Sequence, residues 1–304
     1  ILASDPVRAY AEQAESLNRR LGDLKAIELA RTDRHKPNFS VDPILKVKDL
    51  SISFESHGAV KVVDGVSFEV RPGQCMALVG ESGCGKSITT KVIMGLTDPK
   101  ESITGTVLYK GQDLLKISKD EHRRLLGHEL AMVYQDALSS LNPSMLISSQ
   151  MKQLTSRGGT RSAEELLELV GLDPKRTLES YPHELSGGMA QRVALVRTMI
   201  NEPEVFLLDE PLGALDAFTR MKMQDELLLL WKEKKNMMLM VTHDVDEAIY
   251  MGTRVIVMAK AGGSILRDIP IDLEYPRKRL DPKFLSYREE IMRLLGVDQE
   301  EEAG

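Results

Sequence analysis

The sequence has little of what several classes of protein depend on. Two of its 304 residues are cysteine, Cys75 and Cys84, and no metal-ligand pattern surrounds them. This excludes a disulfide framework and suits a reducing, cytosolic location. Long apolar runs are also missing, since the stretches at 227–231 and 255–259 fall well short of the roughly 18–20 residues that span a bilayer. We therefore expect any membrane role to require a partner.

An excess of positive charge is missing too. Lys and Arg total 40 against 46 Asp and Glu, which gives a net charge of −6. A protein that coats a nucleic-acid duplex is usually basic, so nucleic acid is not an expected partner. The share of hydrophobic residues, 42%, is enough for a chain of this length to bury a sizeable core.

What is present is an alternation of short apolar segments and helical patterns. Strands are predicted at 45–54, 60–70, 76–79, 205–208, 237–241 and 254–258. Helices are predicted at 88–94, at 217–235 and from 244, and residues 112–200 are mostly polar and helix-forming. Strands that alternate with helices predict an α/β fold with a mostly parallel sheet.

Both ends of the chain carry helical patterns. At 5–34, apolar residues recur at steps of three and four after Asp5 and Pro6, which predicts one helix. It either packs across the body of the protein or contacts a partner, and residues 35–43 form a linker. Near the other end, the pattern at 281–296 has an aspartate N-cap, a first-turn proline and a terminal glycine, and predicts a final helix.

One glycine-rich segment carries the strongest functional signal. Residues 80–87 match G-x-x-x-x-G-K-[ST] between a predicted strand and a predicted helix, which is the context a phosphate-binding loop requires. Its backbone N–H groups and the helix N-terminus favour a bound phosphate, Lys86 can reach the β- and γ-phosphates, and Ser87 can ligate Mg²⁺. Cys84 is interpreted as a tolerated filler and a candidate alkylation site. The predicted nucleotide contacts here are Gly80, Ser82, Gly83, Cys84, Gly85, Lys86, Ser87 and Ile88.

An acidic pair follows the apolar segment at 205–208. Asp209 is placed to hold Mg²⁺, normally through water, and Glu210 can polarise a water for attack on the γ-phosphate. An acidic pair after a strand is more often a cap. The phosphate loop upstream, which needs a magnesium ligand, favours the catalytic interpretation.

Further motifs lead to a family. Residues 185–189, Leu-Ser-Gly-Gly-Met, continue with Gln191 and Arg192 and resemble the LSGGQ signature of ABC ATPases. Gln135 resembles that family's Q-loop glutamine, and His243 its switch histidine. Two further positions, Asp216 in Ala-Leu-Asp and Phe54, resemble the D-loop aspartate and the aromatic residue that stacks on adenine.

Each of these residues has an ordinary structural alternative. Gln135 is a plausible surface amide, His243 a structural histidine, Asp216 a helix cap and Phe54 a core aromatic. The order and spacing of the motifs, across about residues 44–262, favour the functional interpretation of the set.

The resemblance implies a P-loop NTPase fold, an ABC nucleotide-binding domain with a RecA-like core, an antiparallel β subdomain and an α-helical subdomain at about 112–200. The chain then divides into an N-terminal helical extension and linker at 1–43, an ATPase domain at 44–262, and a C-terminal extension with a helical tail at 263–304.

The resemblance also implies a head-to-tail pair of domains with ATP and Mg²⁺ between them. The phosphate loop of one domain faces the Ser186, Gly187 and Gly188 segment of the other, and both would bind ATP. A homodimer has two complete sites, and a heterodimer with a sister chain remains an alternative. The implied roles are Lys86 on the β- and γ-phosphates, Ser87, Gln135 and Asp209 on Mg²⁺, Glu210 on the attacking water, and His243 on the γ-phosphate.

The lack of a membrane span suits importers, whose ATPase lies peripherally on the cytoplasmic face beside a separate permease and serves, indirectly, an extracytoplasmic solute-binding protein. Residues 213–220, 241–248 and 275–279 are similar to ATPases of nitrate, sulfonate, taurine and bicarbonate importers. Residues 136–143 and 181–184 resemble those of peptide and nickel importers. We expect the first group. The alternatives are a peptide or nickel importer ATPase and a soluble ABC ATPase without a transport role.

Overall fold

The structure, a computed structural model, describes residues 41–54, 60–98, 100–234, 236–260 and 262–296. The helix expected at 5–34 lies outside these residues, as does the chain after 296. None of the helices in the described part is long and apolar enough to cross a membrane.

An antiparallel sheet forms the first layer. Its strands lie in the order β2 (Lys61–Val70), β1 (Leu45–Phe54), β4 (Glu101–Tyr109) and β5 (Gln112–Asp113). The sequence predicts the first two from their alternating apolar residues, and it misses β4 and β5. Seven of the nine residues of β4 are partly or fully exposed, so few apolar residues mark this strand.

A six-stranded sheet forms the middle layer. Its strands are β3 (Cys75–Val79), β6 (Leu130–Val133), β7 (Val205–Asp209), β8 (Met237–Thr242), β9 (Arg254–Met258) and β10 (Ile265–Pro270), in the order β10-β9-β3-β8-β7-β6. All pairs are parallel except β10 with β9, which confirms the mostly parallel sheet. Strand β6 is not predicted, because its four buried apolar residues lie inside the stretch interpreted as helical and have no periodicity that separates strand from helix.

Nine α-helices of the described chain connect and cover the sheets. They are α1 (Lys86–Ile93), α2 (Lys119–Leu125), α3 (Ile147–Thr155), α4 (Ala163–Leu169), α5 (Pro174–Leu178), α6 (Gly187–Met199), α7 (Ala217–Lys234), α8 (Val245–Met251) and α9 (Pro282–Leu294). The predicted final helix is confirmed, since the Asp281 carboxylate accepts a hydrogen bond from the N–H of Lys283 at 2.8 Å and Gly296 follows with φ 77°.

The parallel sheet separates two apolar cores. Along β3, Cys75, Ala77 and Val79 contribute to a core shared with α6, α7, α8 and α9, whereas Met76 and Leu78 contribute to a core shared with the antiparallel sheet and α1. This alternation follows from the two-residue repeat of a strand. Because both faces are covered, the strand is apolar throughout, as the sequence predicts from 76–79.

The register of the parallel strands aligns their carboxyl ends. Val79 of β3 lies opposite Thr242 of β8, Val241 lies opposite Asp209 of β7, and Leu208 lies opposite Val133 of β6. The four loops that follow these strands therefore start side by side along one edge of the sheet, where open α/β sheets commonly bind ligands.

Candidate active site

The loop after β3 has the backbone shape of a phosphate cradle. Gly83 and Gly85 have φ of 84° and 92°, in the left-handed region that favours glycine. A Cβ at Gly85 would lie 2.5 Å from Cγ2 of Val63 and 2.9 Å from the carbonyl oxygen of Val62, so the loop packs directly on β2. Left-handed residues within a tight loop turn successive N–H groups toward the same side, which makes a concavity that binds anions.

The ammonium group of Lys86 lies across this loop. Its Nζ donates hydrogen bonds to the carbonyl oxygens of Gly80 at 2.7 Å and Glu81 at 2.8 Å, and the residue is only 5% exposed. A cation held at the mouth of an N–H-lined loop suits a polyphosphate.

Ser87 and Asp209 meet beside the loop. The Ser87 hydroxyl donates to Oδ1 of Asp209 at 2.7 Å, and Asp209 is 3% exposed. Burial raises the pKa of Asp209, and the bond from Ser87 opposes that rise. The described residues contain no cluster of three His, Cys, Asp or Glu side chains for a metal. Hydroxyl and carboxylate oxygens nevertheless fit Mg²⁺, which commonly takes one or two protein ligands and fills its remaining positions with water and phosphate.

Glu210 lies between two side chains from neighbouring loops. The Gln135 amide donates from Nε2 to Oε2 of Glu210 at 2.9 Å, and Nδ1 of His243 lies 3.4 Å from Oε1. These contacts bring together the residues after β6, β7 and β8. A carboxylate so oriented beside the phosphate loop has the position that a general base for water requires.

The signature segment forms the N-terminus of α6. The Ser186 hydroxyl accepts a hydrogen bond from the N–H of Met189 at 3.3 Å, which caps the helix. Gly187 has open space where a Cβ would stand. The hydrogen bonds that the structure shows for Ser186, Gly187 and Gly188 are made within α6, and none joins the phosphate loop. Within one chain, this segment is therefore not part of the cluster formed by Lys86 and Glu210.

The remaining predicted positions have local roles. Asp216 caps α7 by accepting a hydrogen bond from the N–H of Thr219 at 3.0 Å. Hydrogen bonding from the Thr219 side chain, and then from its N–H, lowers the pKa of Asp216. Phe54 ends β1 with its ring half-buried, immediately before undescribed residues, so its adenine contact stays a prediction. Among the other loop positions, Ser82 is exposed and Ile88 packs against the core.

Cys84 contradicts one expectation. Its thiol is fully buried beneath the loop, where a Cβ on Gly80 would lie 2.7 Å from its Sγ. The interpretation as an alkylation site is wrong because reagents reach thiols from solvent.

In the sequence, Gln191 stands out only as a continuation of the signature, yet the structure places it beside Glu210. Its side chain is fully buried and bonds the backbone of Glu210 and Ala214. The available signal is a glutamine amid the apolar residues of α6, since a polar side chain on a core-facing stripe requires hydrogen-bond partners.

Comparisons with known proteins agree with this geometry. The family profile described as ABC transporter matches residues 63–213. An uncharacterized ABC transporter ATP-binding protein of Methanocaldococcus jannaschii is 36% identical over 269 residues, which are 88% of this chain and 95% of that protein. The chain belongs to the ABC transporter ATP-binding proteins. The P-loop NTPase fold and the ATPase activity expected from the sequence are therefore confirmed.

Other relatives of this ABC ATPase have named roles. The aliphatic sulfonates import ATP-binding protein SsuB of Bacillus subtilis is 39% identical, covering 76% of this chain and 86% of SsuB. The dipeptide transport ATP-binding protein DppD of the same organism is 36% identical, covering 72% of this chain and 68% of DppD. The mixed importer resemblance is thus confirmed.

Solved structures agree as well. The dimeric bacterial ABC transporter cassette MJ0796 superposes with a TM-score of 0.66 at 26% identity, covering 75% of this chain and 98% of MJ0796. A second dimeric structure of MJ0796, in a post-hydrolysis state with ADP and phosphate bound, gives a TM-score of 0.65.

Proposed function

We propose that this ABC ATPase is the energising subunit of an importer, in which hydrolysis of ATP drives a solute through a separate permease. The observation that carries the hydrolytic mechanism is the position of Glu210. Its carboxylate follows β7 and contacts Gln135 and His243 from the two adjacent strand ends, in the row that begins with the phosphate loop.

Each residue of this row then has one task. Lys86 and the loop N–H groups bind the β- and γ-phosphates, and Ser87 and Asp209, with Gln135, hold Mg²⁺. The cation, when bound, neutralises charge as the γ-phosphoryl group leaves. Glu210 accepts hydrogen bonding from the attacking water and orients it, and His243 donates to the γ-phosphate.

The site needs a second domain. We propose a homodimer in which Ser186, Gly187 and Gly188 of each chain face the nucleotide of the other. Support comes from the exposed, capped N-terminus of α6, which is 13 residues long and directs N–H groups outward, and from the dimeric cassettes that this chain resembles. Nucleotide would then favour the closed pair, and hydrolysis would release it.

A basic groove supports a membrane partner. It has a volume of about 610 Å³, lies beside β6, and is bordered by α2, α3 and α6. Among the described residues that line it, none is acidic, whereas Arg123, Arg124, His128, Arg157 and Arg197 are basic. We propose that a cytoplasmic helix of the permease docks here, which places the ATPase peripherally on the cytoplasmic face, served indirectly by an extracytoplasmic solute-binding protein.

For the cargo, we propose the nitrate, sulfonate and taurine group. The relation to SsuB and the matching segments 213–220 and 241–248 support it. A peptide importer is the second candidate, favoured by the relation to DppD and by residues 136–143, which lie near the groove. In cells with the native transporter, Glu210→Gln should abolish uptake of a labelled alkanesulfonate. Loss of dipeptide uptake instead would assign the second candidate.

The hydrolytic mechanism has its own test. Glu210→Gln keeps the shape and the contacts of the side chain but removes its basicity. We expect ATP to bind normally, turnover to fall about 10²- to 10⁴-fold, and a stable dimer to form with ATP in size-exclusion chromatography. Turnover at the wild-type rate would show that Glu210 is not the base.

A further inference from the structure

We infer that Gln191 is a positioning residue that holds the backbone of Glu210 and joins it to the signature helix α6, so that the two ATP sites of a dimer are linked. The inference rests on the proposed role of Glu210 and on the proposed head-to-tail pair. It concerns a side chain that touches neither nucleotide nor water in that mechanism.

Two hydrogen bonds carry the first step. Gln191 is fully buried, its Nε2 donates to the carbonyl oxygen of Glu210 at 3.1 Å, and its Oε1 accepts from the N–H of Ala214 at 3.2 Å. One amide thus joins both ends of the turn that follows the acidic pair. Without the amide, the N–H of Ala214 would lose this acceptor and the carbonyl of Glu210 would lose one of its donors.

The conformation of Glu210 makes this support specific. Its φ is 46°, in the left-handed region that non-glycine residues rarely adopt, so the surrounding contacts must hold it. Its N–H donates to the carbonyl oxygen of Val241 at 2.9 Å, and its own carbonyl also accepts from the N–H of Gly213 at 3.2 Å. Val241 belongs to the neighbouring strand and Gly213 to the turn after Glu210. Of the three residues that bond the Glu210 backbone here, only Gln191 lies on a helix.

The helix supplies the link to the other site. Ser186 caps α6 and Gln191 lies in its second turn, about 8 Å further along the axis at the usual rise of a helix. The start of α6 also lies close to the turn after Glu210, because a Cβ on Gly188 would lie 3.0 Å from Cδ2 of Leu215. In the proposed pair, Ser186 faces the partner's nucleotide. A shift of α6 at one site therefore acts on the backbone of Glu210 at the other.

The test is Gln191→Met, which keeps the length of the side chain and removes both hydrogen bonds. The matched control is Gln150→Met. Gln150 is also buried and makes three backbone hydrogen bonds, with Asn142 and Met145, on a different helix. Steady-state ATPase kinetics of the full chain give kcat, KM and the Hill coefficient for ATP. A purely structural glutamine predicts the same outcome for both variants.

For Gln191→Met we expect kcat about tenfold lower, KM within about twofold of wild type, and a smaller Hill coefficient. Gln150→Met should keep all three. An unchanged kcat or Hill coefficient in Gln191→Met, or an equal loss in Gln150→Met, would overturn the inference. Should Gln191→Met fail to fold, Gln191→Glu preserves the volume, and its carboxylate lacks the N–H for Glu210, so the same lowering of kcat applies.

Measuring Glu210→Gln in the same assay distinguishes a failure of the inference about Gln191 from a failure of the proposed catalytic role of Glu210. If Glu210→Gln is inactive while Gln191→Met behaves as wild type, only the inference about Gln191 fails. If Glu210→Gln turns over normally, the catalytic role of Glu210 fails, and the inference fails with it.

Discussion

The strand-end cluster and the signature segment differ in how far this chain completes them. At the strand ends, Lys86 and Asp209 are buried, and each side chain makes a hydrogen bond within the chain. At the signature segment, Ser186 and Gly187 are exposed, and a Cβ at Gly187 would meet nothing. The first region is organised by the fold itself. The second is an exposed helix N-terminus, and in the proposed pair the other chain covers it.

The largest expected effect on turnover comes from substitutions that disable the phosphate loop and the signature segment one at a time. Lys86→Met removes the cation of the phosphate loop, and Gly187→Asp places a carboxylate at the exposed helix start. Each should lower turnover by about 10²- to 10³-fold, since each removes charge stabilisation of a phosphate or opposes it. Lys86→Met should also weaken binding of ATP, whereas Gly187→Asp should leave binding to the isolated chain intact.

A mixture of these two variants sharpens the comparison. One of the two sites in a mixed dimer combines the intact phosphate loop of the Gly187→Asp chain with the intact signature of the Lys86→Met chain. Turnover should therefore reappear on mixing, measured as phosphate release. A mixture as inactive as its components would contradict the shared site. Gly187→Ala serves as the control, because it adds a methyl group without charge.

A smaller effect is expected inside the phosphate loop. Gly85→Ala combines a left-handed φ with contacts below 3 Å to Val62 and Val63, and should lower the free energy of unfolding by about 2–4 kcal/mol. Gly83→Ala has a similar φ of 84° but open space, so only the conformational cost of about 1–2 kcal/mol applies. Urea unfolding of the pair measures the difference, and equal losses would show that packing on β2 is unimportant.

The smallest effect concerns Glu247, which is buried in α8 near His243. Burial raises its pKa, so its folded pKa lies above its unfolded pKa. The carboxyl therefore contributes stability that is complete below the unfolded pKa and is lost as pH rises through the folded pKa. Glu247→Gln should accordingly be more stable than wild type near pH 8 and similar to it near pH 4. Thermal melts of both proteins at the two pH values check the sign, and a variant less stable than wild type near pH 8 would contradict it.

The sequence predicts the strand-end cluster better than its surroundings. A short apolar segment precedes each part of this cluster: the phosphate loop, the acidic pair, the Q-loop and the switch histidine. Parallel strands align the ends of such segments at one edge of the sheet. The strand β6 escapes prediction because Leu130–Val133 lies within a mostly polar, helix-forming stretch, where four apolar residues do not distinguish a strand from part of a helix. The contacts of Gln191 escape it because they join a side chain to backbone groups that are distant in sequence, and no local pattern encodes them.

The order β3-β8-β7-β6 has a consequence for how this site can vary. Neighbouring strands are about 4.8 Å apart, so the phosphate loop and the loop of Gln135 start about 14 Å apart, three strand spacings along the sheet edge. That distance is fixed by backbone hydrogen bonds and not by any side chain of the site. Substitutions in the proposed docking groove can therefore change that surface while the spacing between the strand ends stays constant.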